Sequence, residues 1–430
     1  MTLATDLVRT PARANARQWL GLVVLALAVL VVAIDATVLD VALPFISADL
    51  QPSAPQLLWI IDVYSFVLAG LLITMGTLGD RVGRRRLLLI GAAGFGLASI
   101  MAAFAISPTM LIAARVLQGI AGATLMPATL GLIRAMFADA RQRTTAIAVW
   151  SAMASGGAAV GPLVGGWLLE HFWWGSVFLV NLPLMFALIV LGPLVIPEAR
   201  DPHPGRFDVP SALLSMLAVL PIVYAIKELV AHGLSVTTLV AAAVGFVAGA
   251  VFVERQQRLD DPMLDLRLFA NRRFRTAVST DFLAVFALAG LLFFGAQYLQ
   301  VVARLSPLGA GLAMLPGTAT SVVASVGAAW LLRHFRPGAV LATAVTLSAL
   351  GAAALLGTTA DGGIAVFVAG FVLVGAGVGI AVTTSAVLVV GSVPPARAGA
   401  ASAVAETAYE LGTASGVAVL GSVVMAVFRG

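Results

Sequence analysis

Thirteen stretches of predominantly apolar residues, most of them about 20 long, follow one another from Trp19 to the end of the chain. Each is long enough to cross a hydrocarbon core of about 30 Å as an α-helix. No water-soluble fold hides that much apolar surface: 60% of the 430 residues are hydrophobic and only 10% are charged, whereas soluble domains carry about 25% charge. Strands are excluded by length, because a membrane strand needs only about 10 residues and alternates in polarity. The first run, residues 19–44, is too long for a signal peptide and is followed by many others, so it reads as a retained helix. The remaining predicted helices cover 57–78, 87–106, 108–132, 144–168, 175–197, 209–227, 235–253, 276–300, 308–332, 338–358, 363–390 and 398–428.

The sequence pI of about 10.4 suggests nucleic acid at first, but the basic residues form no patch. They occupy short loops between apolar runs, and 21 of the 25 fall on one side if the N-terminus is cytoplasmic. Excess Lys and Arg marks the cytoplasmic side of a membrane protein. The outer loops hold only Lys227 and Arg304, plus Arg429 near the chain end, and Arg115 lies inside a helix. The expected location is therefore a bacterial inner membrane, crossed many times. There is no cysteine, no nucleotide-binding loop and no nucleophile–base pair. An enzyme is not expected, and no cofactor is implied.

Charge and proline divide the chain. A cytoplasmic segment, 1–18, precedes a six-helix bundle over 19–197. The polar linker 198–208 leads to two inserted helices within 209–253, and a second linker, 254–275, leads to a C-terminal bundle over 276–430. Transporters are often built from such repeated halves. The odd helix count predicts a fourteenth helix that would complete the second bundle; the alternative is that one predicted helix is a misreading.

Three motifs carry more than topology. The loop after the second helix reads Gly79-Asp80-Arg81-Val82-Gly83-Arg84-Arg85-Arg86. Its glycines permit a tight turn, and Asp80 can pair with an arginine or cap a helix. A plain basic loop is the simpler reading. Arg115 is a full charge at hydrocarbon depth, so it is expected to face the bundle interior and find a partner rather than snorkel to the surface. Gly157, Gly161 and Gly165 recur every four residues, with Pro162 beside them. That stripe admits a close helix neighbour, and the proline invites a bend; tight packing alone would explain it equally well.

The intramembrane acids point to chemistry. Asp35 lies nine residues before Pro44, and Asp62 about five residues into the next helix. At 1.5 Å per residue both fall within roughly 8–14 Å of the outer helix ends, the layer that also holds Arg115. Two carboxylates and a guanidinium at one depth can form a buried network that takes up and releases a proton, or a static pair that orients helices. Glu406 and Glu410 are one turn apart on the last helix and share a face. Carboxylates there suit an organic cation, with Tyr409 and Trp150 as candidate cation–π partners. Asp281 is a further acid, for which a helix-end role and a binding role are both open.

The segments D-x-T-V-x-x-V-A-L-P from Asp35, W-I-x-D-x-Y-S from Trp59, L-G-D-R-x-G-R-R-R from Leu78, the Arg115 segment, the Gly161-Pro162 segment and E-T-A-Y-E-L-G from Glu406 together resemble one family. It is the fourteen-helix drug/proton antiporter family of the major facilitator superfamily, and within it the actinobacterial multidrug pumps. The resemblance runs from the first predicted helix to the last. It implies a fold of two six-helix bundles with two inserted helices. It also implies export of quaternary ammonium compounds, cationic dyes and related drugs against proton entry, with the proton gradient as energy source. Asp35, Arg115 and Asp62 would serve coupling. Asp62, Glu406, Glu410, Tyr409, Trp150 and Asp281 would serve binding. Gly79, Asp80, Arg81, Gly83, Arg84, Gly157, Gly161, Pro162 and Gly165 would serve the conformational change. Partners would be lipophilic cations, protons and the bilayer, with no nucleic acid, and the working unit a monomer. Ala405 stands where some relatives have a second adjacent acid, and the tenth helix lacks the acid that relatives handling dications carry. Two other readings remain open: an exporter of an endogenous metabolite, lipid or antibiotic, and a membrane sensor or scaffold that transports nothing.

Overall fold

The computed structural model describes residues 14–200, 208–260, 262–305, 307–358 and 363–429. Almost all of them are helical. Seven helical segments come first: α1 (Ala16–Leu50), α2 (Ala54–Val82), α3 (Arg84–Ala103), α4 (Pro108–Met136), α5 (Ala140–His171), the short α6 (Ser176–Leu179) and α7 (Asn181–Val195). A hairpin follows, α8 (Val209–His232) and α9 (Val236–Arg258). The last group is α10 (Arg272–Gln297), α11 (Pro307–His334), α12 (Pro337–Leu355), α13 (Ile364–Gly391) and α14 (Ala398–Arg429). Among the described residues, 11 helices are long and apolar enough to span a membrane, or 12 if the bent α5 counts as one span. Helices are the natural solution in lipid, because each satisfies its own backbone hydrogen bonds.

The helix ends follow local chemistry. Asn15 with Gln18, and Ser53 with Gln56, form reciprocal caps at the starts of α1 and α2. Asp139 and Ser235 cap α5 and α9. Several boundaries differ from expectation. The first helix runs through Pro44 to Leu50, so that proline is accommodated rather than terminal. The sixth predicted helix is two pieces, α6 and α7, broken at Val180. The ninth ends in a π-helical turn, Tyr298–Val302. A 3-10 turn, Leu266–Ala270, sits in the second linker, while most of the first linker lies outside the described residues.

Packing separates two bundles. In the first, α1 lies on α5 and α7, and α4 on α2 and α3. In the second, α13 lies on α11 and α12, and α10 on α14. The two meet mainly through α5 against α11 and α2 against α14. The hairpin helix α8 lies along that second seam, touching both α2 and α14, with Thr74 and Ser215 hydroxyls 3.4 Å apart. Lipid tails are as apolar as leucine, so helices in a membrane associate by close packing rather than by the hydrophobic effect. Glycines provide that closeness. A Cβ on Gly161 would collide with the Thr37 hydroxyl and lie 3.1 Å from the Ile34 carbonyl oxygen, and one on Gly157 would lie 2.9 Å from the Leu30 oxygen. Gly165 abuts Val38 in the same way. The stripe is thus the surface on which α5 rides α1. The two parts of α5, 140–158 and 160–171, meet at 40°. Pro162 lacks the N–H that would bond the carbonyl of residue 158, which places the bend there.

Candidate functional site

The central feature is a buried ion pair. Arg115 on α4 donates to Asp35 on α1 at 2.6 Å, with both residues at most 1% exposed. The pair is enclosed in amides. Gln118, one turn after Arg115, donates to the other Asp35 oxygen at 3.2 Å, and Asn181 donates to that oxygen at 2.9 Å. Arg115 also donates to the side-chain oxygen of Gln118 at 3.1 Å. Ser99 on α3 accepts from Gln118 at 3.0 Å and from Asn181 at 3.1 Å. The guanidinium carbon lies 4.5 Å from the centre of the Tyr64 ring and 6.0 Å from that of Phe178. A desolvated ion pair is tolerated only when its remaining donors and acceptors are met, and this network meets most of them. The Arg115 Nε and the Asn181 Oδ1 are left without partners among the described residues.

The expected Asp35–Arg115 pairing is therefore present. The side chain of Asp62 lies outside the described residues. Four partners went unidentified in the sequence: Gln118, Asn181, Ser99 and Tyr64. Gln118 had a local signal, three residues from the buried arginine on one helix face. Asn181 is a lone amide in an apolar run. Ser99 had none, since a serine in a transmembrane helix ordinarily bonds its own backbone.

A second constellation lies between α10 and α14. Glu406 and Asp281 are both buried, at 7% and 5% exposure. Glu406 lies within reach of the charges of Asp281 and Glu410, and Tyr409 within reach of all three. Their helices are held close, since a Cβ on Gly412 would sit 2.7 Å from the Phe282 oxygen. Asp281, for which a helix-end role was open, is nine residues inside α10 and joins this group. Trp150 does not. Its indole donates to Thr129 at 2.9 Å and it packs in the apolar core with Leu25 and Ile147. That geometry is packing, and the aromatic ring set over a cation here is Tyr64.

The third element is a latch on the arginine-rich side. Gly83 has φ +119°, a backbone state that favours glycine, and so turns α2 directly into α3. Within it, Gly79 accepts the Gly83 N–H at 3.0 Å, and Arg81 lies half-buried in the last turn of α2. Arg84 donates to Asp80 at 2.7 Å, to the Gly131 carbonyl at 3.2 Å and to the Pro395 carbonyl at 2.7 Å. Asp80 in turn accepts the N–H groups of Gly399 and Ala400, at 3.2 and 3.1 Å. A carboxylate at the start of α14 meets its unpaired N–H groups and the positive end of its dipole. So Asp80 ties the first bundle to the second. Arg134 to the Val393 carbonyl (3.4 Å) and Arg333 to the Thr145 hydroxyl (2.6 Å) cross the same seam. The loop after α2 is thus more than a basic topology signal.

Such a layout, two bundles each with buried charges and clasped at one end, fits comparison with known proteins. The family model of the Major Facilitator Superfamily matches residues 25–417. The chain belongs to the major facilitator superfamily. It is 50% identical over 421 residues to the multidrug efflux pump LfrA of Mycolicibacterium smegmatis, covering 98% of this chain and 83% of that one. The methyl viologen resistance protein SmvA of Salmonella typhimurium is 39% identical over 406 residues, covering 94% and 82%. Among solved structures, the human organic anion transporter MFSD10 superposes with a TM-score of 0.68 at 19% identity, over 94% of this chain and 93% of that one. That likeness concerns the fold. The chain is a multi-pass membrane transporter.

Proposed function

We propose that this transporter exports lipophilic cations from the cytoplasm of a bacterium in exchange for protons. The observation that carries the reading is the set of buried carboxylates, Asp35 on α1 and Asp281 and Glu406 on facing helices. Ionisable groups at membrane depth are costly and mark ion or substrate pathways. Asp281, Glu406 and Glu410 attract a cation, whether a proton or a quaternary ammonium group. A shared set of carboxylates makes the two compete. Proton arrival from outside displaces the drug, and proton release inside resets the site. Alternation between the two faces comes from rocking of the bundles, with the Asp80–Arg84 latch holding the arginine-rich end shut in one state. The name of LfrA supports drug export, and the loop arginines support an N-terminus in the cytoplasm of the inner membrane.

The test is ethidium flux in proteoliposomes with and without an imposed pH gradient. Wild type should accumulate the dye only with the gradient. Asp35→Asn keeps a side-chain oxygen to accept from Arg115 and so should remain folded while losing the gradient-driven part. Accumulation without the gradient, or an Asp35→Asn variant as active as wild type, would refute the coupled reading. A folded wild type inert to cationic dyes would shift weight to export of an endogenous metabolite.

A further inference from the structure

Many arginines at the clasped end have partners: Arg84, Arg255 and Arg397 pair with Asp80, Asp208 and Asp265, while Arg134 and Arg333 cross the seam. Three others gather round a cavity of about 880 Å³ in the second bundle. Arg272 and Arg273 open α10, and Arg336 immediately precedes α12. None of the three forms an ion pair among the described residues, and no acid is among the described residues that line the cavity. Cations held round one open space repel one another until an anion enters. The frame is firm: Phe274 is fully buried and meets Phe269 edge-on at 5.3 Å, which fixes the first turn of α10. No side chain caps α12, and a Cβ on Gly338 in its first turn would meet nothing within 4 Å, so the positive end of that helix is open to the same space.

The cavity also has an apolar continuation. Helices α10 and α12 both pack on α13 but scarcely touch each other, which leaves a cleft between them with α13 as its floor. Leu388 of α13 and Leu341 of α12 line it at the cavity. Thr276 leads, seven residues on and on the same face of α10, to the exposed Leu283. Leu341 leads in one turn of α12 to the exposed Val345. Both walls therefore run from charge at the helix ends into apolar surface along the span.

We propose that this cavity seats the headgroup of an anionic phospholipid, with an acyl chain lying in the cleft between α10 and α12. The planar guanidinium groups of Arg272, Arg273 and Arg336 suit phosphate oxygens, and the Thr276 hydroxyl, one turn on from Arg272, is a further donor. Basic pockets between transmembrane helices are suited to such headgroups. A soluble phosphate would meet the same arginines but would gain nothing from Leu341, Leu388 and the cleft.

The experiment reads binding, so its outcome is independent of any transport assay. The full chain, purified in detergent, is titrated with phosphatidylglycerol or with phosphatidylcholine of the same acyl chains, and bound lipid is counted by native mass spectrometry. Wild type should retain one phosphatidylglycerol at least about tenfold more tightly than phosphatidylcholine, since each arginine near a membrane surface contributes about fivefold for anionic lipid. Arg272→Gln/Arg273→Gln/Arg336→Gln should lose that preference with its Tm in phosphatidylcholine unchanged. Arg336→Gln alone should lose about threefold. Arg141→Gln/Arg267→Gln/Arg275→Gln removes the same charge from exposed positions outside the cavity and should keep the preference within about twofold. A wild type without the preference, or Arg272 and Arg336 variants that keep it, would overturn the site. Equal loss in the control variant would overturn it too, by making the attraction a general effect of net charge. Inorganic phosphate that raises the Tm as much as phosphatidylglycerol does would overturn the lipid as occupant in favour of a soluble anion.

Discussion

At the scale of single residues, the Asp35–Arg115 pair behaves as one unit with its amides. Truncating one partner of a buried pair leaves the other charge with nothing to bond and costs about 3–5 kcal/mol. Arg115→Ala is therefore expected to unfold or fail to accumulate, whereas Asn181→Ala should fold with a measurable loss. Asn181 supplies hydrogen bonds to Asp35 and to Ser99, and losing a buried donor costs about 1–3 kcal/mol. Thermal unfolding in detergent checks both: a Tm for Asn181→Ala equal to wild type would mean that the amide is dispensable. The charges of this site were legible in the sequence, because an acid or arginine at membrane depth has few explanations. The amides and Ser99 were not, because their importance comes from four helices converging on one oxygen pair.

At the scale of elements, glycines of one helix are not equivalent. A Cβ on Gly161 collides with the Thr37 hydroxyl of α1, two residues from Asp35, whereas a Cβ on Gly166 meets nothing within 4 Å. Gly161→Ala should therefore reduce transport and stability, and Gly166→Ala should leave both near wild type. Equal behaviour of the two variants in flux assays and melting curves would remove the α1–α5 contact from the mechanism. The α8–α9 hairpin has its own clasp. Asp208 caps α8, accepting from the Ser211 N–H, and takes two hydrogen bonds from Arg255 at 2.9 and 3.1 Å. Burial pushes the Asp208 carboxyl up, but the hydrogen bonds from Arg255 and Ser211 and the Arg255 charge outweigh it and hold the carboxyl below its ordinary value. A depressed carboxyl stabilises the fold fully above the unfolded pKa of about 3.9, and that contribution disappears as pH falls through the lower folded value. The Tm difference between wild type and Asp208→Asn should thus be present at neutral pH and shrink below about pH 4, with a size near the 0–1 kcal/mol of solvated pairs. A difference independent of pH would assign the effect to shape instead.

For the whole molecule, the Asp80 carboxylate is the piece that both bundles share. Asp80→Asn keeps the size but weakens the bonds to Arg84 and to the start of α14. The arginine-rich end should then open more often. The chain has no cysteine, so spin labels can be placed without background. Labels at the exposed Arg141 and Arg336, on α5 and before α12, should report longer distances in Asp80→Asn than in wild type. An unchanged distribution would show that the remaining links, Arg134 to Val393 and Arg333 to Thr145, suffice.

Membrane insertion, the helical class and the positions of the intramembrane charges were determined by sequence alone. Each follows from local properties: the length of an apolar run, the alternation of basic loops, and the cost of a charge in hydrocarbon. Family resemblance rested on short motifs and needed no fold. Tertiary structure alone decided which helices meet, and so which charges pair. It turned Trp150 into the core, brought Asp281 to Glu406, set Tyr64 on Arg115 and carried Asp80 to the far bundle. Those contacts join residues as much as 320 positions apart. They depend on helix rotation and crossing, which small differences in glycine packing determine and which no local pattern encodes.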